Sequence, residues 1–141
     1  MVRMKGFTLI EIMVVVVILS ILAAYVVPKI MERPGQARIA RAKADLQAIS
    51  SALGLYKLDN FQYPTTEQTL KALVEKPSSE PVPTNWKGEG YLKKEPIDPW
   101  GKPYQYLSPG EHGEFDLFSL GRDNRPGGEG EDADVESWNL E

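Results

Sequence analysis

The chain has 141 residues, enough for one modest domain plus an anchoring segment. Its formal net charge of −4 hides an asymmetry, because residues 1–43 sum to +5 and the remainder to −9; no basic patch interleaves with aromatics in the acidic part, which argues against nucleic-acid binding. There is no cysteine and a single histidine, His112, so disulfides, thiol catalysis, cysteine-based zinc sites and a two-histidine metal site within one chain are excluded.

From Phe7 to Val27 the chain reads FTLIEIMVVVVILSILAAYVV. As a helix this run spans roughly 30 Å, the thickness of a bilayer hydrocarbon core. Only Thr8, Glu11 and Ser20 are polar, and the run is apolar all round, unlike the amphipathic core helix of a small soluble domain. A secretory signal cut near Ala23-Ala24 fits poorly, because the apolar run continues past those residues and contains an acid. A plain membrane anchor explains the length but not the position of Glu11.

The segment Lys5-Gly6-Phe7-Thr8-Leu9-Ile10-Glu11 resembles the prepilin leader motif, a short basic leader that ends in glycine ahead of an aromatic residue and an acid. The resemblance implies a leader over residues 1–6, cut between Gly6 and Phe7 by a membrane-bound prepilin peptidase that methylates the new N-terminus at Phe7. It also makes Glu11 the acid of the mature apolar helix, residues 7–27. A lone carboxylate in hydrocarbon is costly and marks function. In this family its expected partner is the amine that cutting creates at Phe7, on the same chain or on a neighbour, so Phe7 and Glu11 become assembly residues. Arg3 and Lys5 before the run are balanced by Lys29 and Arg33 after it, so the cytoplasmic placement of the leader follows from the resemblance rather than from charge bias.

Pro28 predicts a kink or break at the end of the span, and Pro34-Gly35 is a second punctuation. Residues 28–60 read as a stem, with an amphipathic helix from Gln36 to Asp59. Leu46, Ile49, Leu53 and Tyr56 form its apolar stripe for packing on a sheet. Arg38, Arg41, Lys43, Asp45 and Gln47 fall mostly on the other face, either solvated or facing acidic surfaces of neighbouring subunits.

Residues 61–141 form the head. Thr65-Thr66-Glu67-Gln68 offers a capping box and predicts a short helix through about Glu75, with Leu70, Leu73 and Val74 on its buried edge. Residues 77–99 read as a long loop. Tyr104–Leu107 and Phe115–Ser119 read as strands joined by the turn at 108–113, which leaves His112 exposed. Trp100 should fold back over the sheet, and Trp138 likewise. The class is α+β, a long N-terminal helix packed on a small antiparallel sheet.

The runs Tyr56-Lys57-Leu58-Asp59-Asn60, Tyr63-Pro64-Thr65-Thr66-Glu67-Gln68, Asp98-Pro99-Trp100-Gly101 and Phe118-Ser119-Leu120-Gly121 resemble the major pseudopilins of type II secretion systems, along the whole chain. The resemblance implies a pilin-like fold and a single-pass inner-membrane subunit with a periplasmic head. It implies a homopolymer, the pseudopilus, that drives folded proteins across the outer membrane. Its expected partners are further copies of itself, prepilin peptidase, minor pseudopilins, the inner-membrane assembly platform and the lipid bilayer.

Residues 120–135 read LGRDNRPGGEGEDADV. By composition this is either a solvated acidic loop or a site for a hard cation, which wants clustered oxygens on a backbone able to turn sharply. It is not an EF-hand. The family resemblance implies one structural calcium, held by the Leu120 carbonyl and Asp123, with Asp132, Asp134 and Glu131 completing the set. Other readings are a type IV pilin, a minor or competence pseudopilin, or a membrane-tethered enzyme using an acid pair such as Asp98 with Asp116. No nucleophile motif, phosphate loop or histidine cluster supports the enzyme.

Overall fold

The computed structural model describes residues 6–141, with the side chains of residues 29–32 outside the description. A single helix, α1, runs from Leu9 to Asn60 and carries Pro28 and Pro34 inside it. Of the kink or break expected at Pro28, the break is absent, since the helix runs through that residue. Each proline forgoes one hydrogen bond to the preceding turn, and the helical runs on both sides carry on. The chain divides into two compact units, one ending at Gly35 and one comprising Gln36–Glu141.

In the first unit every described side chain from Phe7 to Pro28 is exposed. Such a surface has no stable place in water, and length and composition suit a membrane span. Ser20 spends its hydroxyl on the Val16 carbonyl at 2.7 Å, the usual way a hydroxyl is satisfied inside an apolar helix.

The second unit is built on the stripe legible in the sequence. Ala42, Leu46, Ile49, Leu53 and Tyr56 repeat at steps of four and three and are buried. They cluster with Leu70, Ala72 and Leu73 below and with Tyr104, Tyr106, Leu117 and Val135 from the sheet. The sheet has three antiparallel strands in the order β1 (Gln105–Leu107), β2 (Asp116–Ser119) and β3 (Val135–Glu136). Tyr106 pairs with Leu117, and Ser119 with Val135.

Two expectations change. The helix through Glu75 is only a 3-10 turn, Leu70–Leu73. The capping box does form, with Thr65 N–H donating to Gln68 Oε1 at 3.0 Å and Gln68 N–H to Thr65 Oγ1 at 3.2 Å. However, Thr69 sits at φ +58, which ends helical geometry one residue later, and Gln68 turns its amide to the carbonyls of Ser79 and Pro81. β3 was not anticipated, because two residues carry no readable periodicity.

The stem cations lie mostly on an exposed face, as the solvated reading has it, and also meet acids of their own chain. Arg38 pairs with Glu131 at 3.0 Å and Lys43 donates to the main-chain oxygen of Glu141 at 3.1 Å. Arg41 lies 3.8 Å from Asp45, which accepts from the Tyr104 hydroxyl at 2.9 Å. The basic stem is thus partly neutralised by the acidic head of its own chain.

Candidate functional site

Two places carry the chemistry singled out in the sequence. The first is the start of α1. Glu11 folds back so that its Oε2 accepts from Thr8 N–H at 3.4 Å, while Glu11 N–H donates to Thr8 Oγ1 at 3.3 Å. This is a reciprocal capping box, legible as T-x-x-E though the sequence reading missed it. The acid therefore sits at the positive end of the helix, where a carboxylate is favoured. Phe7 is 80% exposed and precedes the capped residue. Gly6 has nothing within 4 Å of where a Cβ would stand, so the bond between Gly6 and Phe7 lies in open, non-helical chain. The rest of the expected leader, residues 1–5, lies outside the described residues.

The second place is the acidic loop after β2. Gly121 and Gly128 let it cross itself tightly. A Cβ at Gly121 would stand 2.7 Å from the Ala133 carbonyl oxygen, and one at Gly128 2.5 Å from that of Asp132. The expected metal residues separate into two groups. Glu131 and Asp132 are engaged by cations of the protein itself. Arg122 forks onto Asp132 with two 2.9 Å bonds and lies 3.6 Å from Glu131, which also accepts from Arg38 at 3.0 Å and Trp100 Nε1 at 3.2 Å. Each of these carboxyls is held below its ordinary range, Glu131 chiefly by Arg38 and Asp132 by Arg122. The backbone carbonyl of Glu131 is taken by Arg122 N–H at 2.8 Å.

Asp123 and Asp134 differ. Asp123 Oδ1 accepts from Arg125 N–H at 3.1 Å, and Asp134 Oδ2 from Gly127 N–H at 3.0 Å. Asp134 Oδ1 is buried with no hydrogen-bond partner, a position that native proteins fill with a donor, a water or an ion. Among the described residues no three acidic or histidine side chains converge as a metal cluster. Of the expected metal residues, Asp134 and Asp123 thus keep carboxylate oxygen not paired to an arginine by hydrogen bond, oxygen of the kind a hard cation takes.

The remaining acids weighed for catalysis, Asp98 and Asp116, both accept several hydrogen bonds from nearby residues. Asp98 accepts from the N–H groups of Trp100 and Lys102 and from the Ser119 hydroxyl at 2.7 Å. Asp116 accepts from the N–H groups of Glu111 and His112 and lies 3.0 Å from His112 Nδ1. His112 is exposed, as expected, and its ring also stacks on Trp138 at 4.0 Å. Burial pushes the Asp116 carboxyl up, but His112 and the two main-chain donors outweigh it and hold the carboxyl below its ordinary range. A depressed acid contributes stability above its unfolded pKa, about 3.9, and loses it as pH falls through the folded value. Thermal melts taken downward from pH 5 should fall, and Asp116→Asn should flatten that fall. Parallel melting curves for the two proteins would show that Asp116 contributes nothing to it.

With this geometry established, comparison with known proteins is informative. A family model for the type II secretion system (T2SS), protein G, matches residues 29–138, and a prokaryotic N-terminal methylation motif matches residues 1–27. The chain is 62% identical over 136 residues to the type II secretion system core protein G of Pseudomonas aeruginosa, covering 96% of each chain. It is 52% identical to that of Vibrio cholerae, over 99% of this chain and 94% of the relative. Among solved structures it resembles the major pseudopilin from the type 2 secretion system of enterohaemorrhagic Escherichia coli, with a TM-score of 0.68 and 44% identity over 77% of this chain and 92% of that one.

Proposed function

The chain belongs to the type II secretion system protein G family, the major pseudopilins, and from that membership we propose that it polymerises into the periplasmic pseudopilus that pushes folded proteins through the outer membrane. It acts as a structural subunit rather than an enzyme. The prepilin peptidase removes residues 1–6 and leaves a methylated Phe7. The apolar part of α1 holds the subunit in the inner membrane until assembly on the platform, with minor pseudopilins at the start of the fibre.

The observation that carries this reading is the position of Glu11. Its carboxylate lies over Thr8 N–H, next to the residue that becomes the new N-terminus. Cutting after Gly6 would place a positive amine beside a carboxylate already turned towards it, within a helix that exposes apolar surface on every side. In hydrocarbon the amine of a neighbouring subunit would reach the same carboxylate only where subunits are correctly staggered, so sharing the acid between the two amines would select the register of the bundle. Mass spectrometry of the membrane fraction tests the processing step. The protein should lack Met1–Gly6, start at a methylated Phe7 and retain the apolar helix. A chain starting near Ala24 would instead make it a secreted soluble domain and overturn the reading.

We also propose one structural calcium in the acidic loop, held by Asp134, Asp123 and the Leu120 carbonyl. Support comes from the buried, unpartnered Asp134 Oδ1. The ion would supply the positive charge that this oxygen lacks, and would stabilise the head by binding the folded state only.

A further inference from the structure

The second half of the acidic loop has its cations built in. Arg122 reaches across the loop neck with its whole fork, Nε and Nη2 each 2.9 Å from one oxygen of Asp132, while its own N–H ties to the Glu131 carbonyl at 2.8 Å. Arg38, from α1, takes the Glu131 carboxylate at 3.0 Å. Two guanidiniums thus neutralise the pair Glu131-Asp132, whose backbone is pressed against Gly121 at the crossing point. In the other half of the loop Asp123 lies within the field of Arg122, but Asp134 Oδ1 is buried without a hydrogen-bond partner.

We propose that Arg122 is a resident cation that holds the acidic loop closed before calcium arrives, and so positions Asp134 and Leu120 to receive the ion. The proposal rests on the calcium reading only for its second clause. Dense carboxylates repel and open a loop unless something neutralises them. A bidentate guanidinium does this with directional bonds, which a single ammonium cannot reproduce. Arg122 is thereby a positioning residue; it touches Asp132 and Glu131 and leaves Asp134 to the metal. It also divides the labour in the loop. The crossing at Gly121 closes on arginine, and the Asp134 oxygen is left for calcium.

The test is amide hydrogen exchange over residues 121–134 of the full-length protein in detergent micelles, with calcium or with a chelator. Wild type should stay protected in chelator. Arg122→Gln should exchange faster there by about tenfold or more, the loss expected when a bidentate charge-assisted pair is removed, and calcium should restore protection. Asp132→Asn should reproduce the effect from the other side of the pair, and amides of residues 46–56 in α1 report that the head remains folded. If Arg122→Gln is as protected as wild type in chelator, the proposal is wrong whatever calcium does. If the variant opens and calcium fails to reclose it, the arginine brace stands and the calcium site falls.

Discussion

Cells carrying the Glu11→Ala chain, with the rest of the secretion machinery intact, should hold normal amounts of membrane-inserted protein with a folded head and assemble no fibres. The apolar run keeps its length without Glu11, so insertion is not at stake. The head is equally unaffected, since its core begins at Ala42. What disappears is the one anionic group in an otherwise apolar surface, and with it the proposed partner of the Phe7 amine, a charge that left unpaired in hydrocarbon costs about 3 kcal/mol. At that size, assembly falls by at least about a hundredfold, which reads as absence. Glu11→Ala also removes half of the capping box, and Glu11→Gln separates the two effects. Glutamine at this position can still reach back to Thr8 N–H but carries no charge. Both variants should fail if charge pairing is the reason for the acid. Fibres from Glu11→Gln alone would assign the role to the helix cap instead, and normal fibres from Glu11→Ala would remove it altogether.

The second large effect lies in the loop neck. Gly121→Ala should destabilise the head by about 3 kcal/mol or more. Gly121 is at φ +69, a left-handed conformation that costs alanine about 1 kcal/mol on its own. Its new methyl would also stand 2.7 Å from Ala133 O, 2.8 Å from Glu131 O and 2.9 Å from the Asp132 carbonyl carbon. All three are backbone atoms, so no side chain can swing aside. For a unit of this size the melting temperature should drop by roughly 10–20 °C. It is best followed by tryptophan fluorescence, because Trp86, Trp100 and Trp138 all lie in the head. Gly54→Ala is the internal contrast. That glycine sits within α1 with nothing within 4 Å of a Cβ position, so alanine should stabilise by about 0.5–1 kcal/mol. Equal melting temperatures for the two variants would remove the close crossing as an explanation.

The features legible in the sequence share one property. Each is written in residues close together in the chain. The apolar run, the Gly6-Phe7 junction and the acid at Glu11 are contiguous, and the stripe Leu46, Ile49, Leu53, Tyr56 repeats at the helical period. The β1–β2 hairpin is announced by its turn, and its observed ends fall within one residue of the expected ones. These are backbone propensities and periodicities, which act locally and so leave a local trace.

Local chemistry could list the carboxylates of the acidic loop but could not apportion them. Glu131 is claimed by Arg38, 93 residues away in sequence, and Asp132 by an arginine on the other side of a crossing that exists only because Gly121 allows it. The same holds for Asp98, saturated by its own turn and by Ser119, and for His112, laid between Asp116 and Trp138. β3 exists because β2 offers an edge, and the helix expected through Glu75 is cut to a 3-10 turn by the left-handed Thr69, next to a Gln68 whose amide holds Ser79 and Pro81. The sequence by itself determined that this protein has an apolar helix headed by a processing motif and an acid, and a stem that packs on a sheet. Only the tertiary structure decided which charges meet, because opposite charges find partners by distance in space, and the fold sets that distance without reference to separation along the chain.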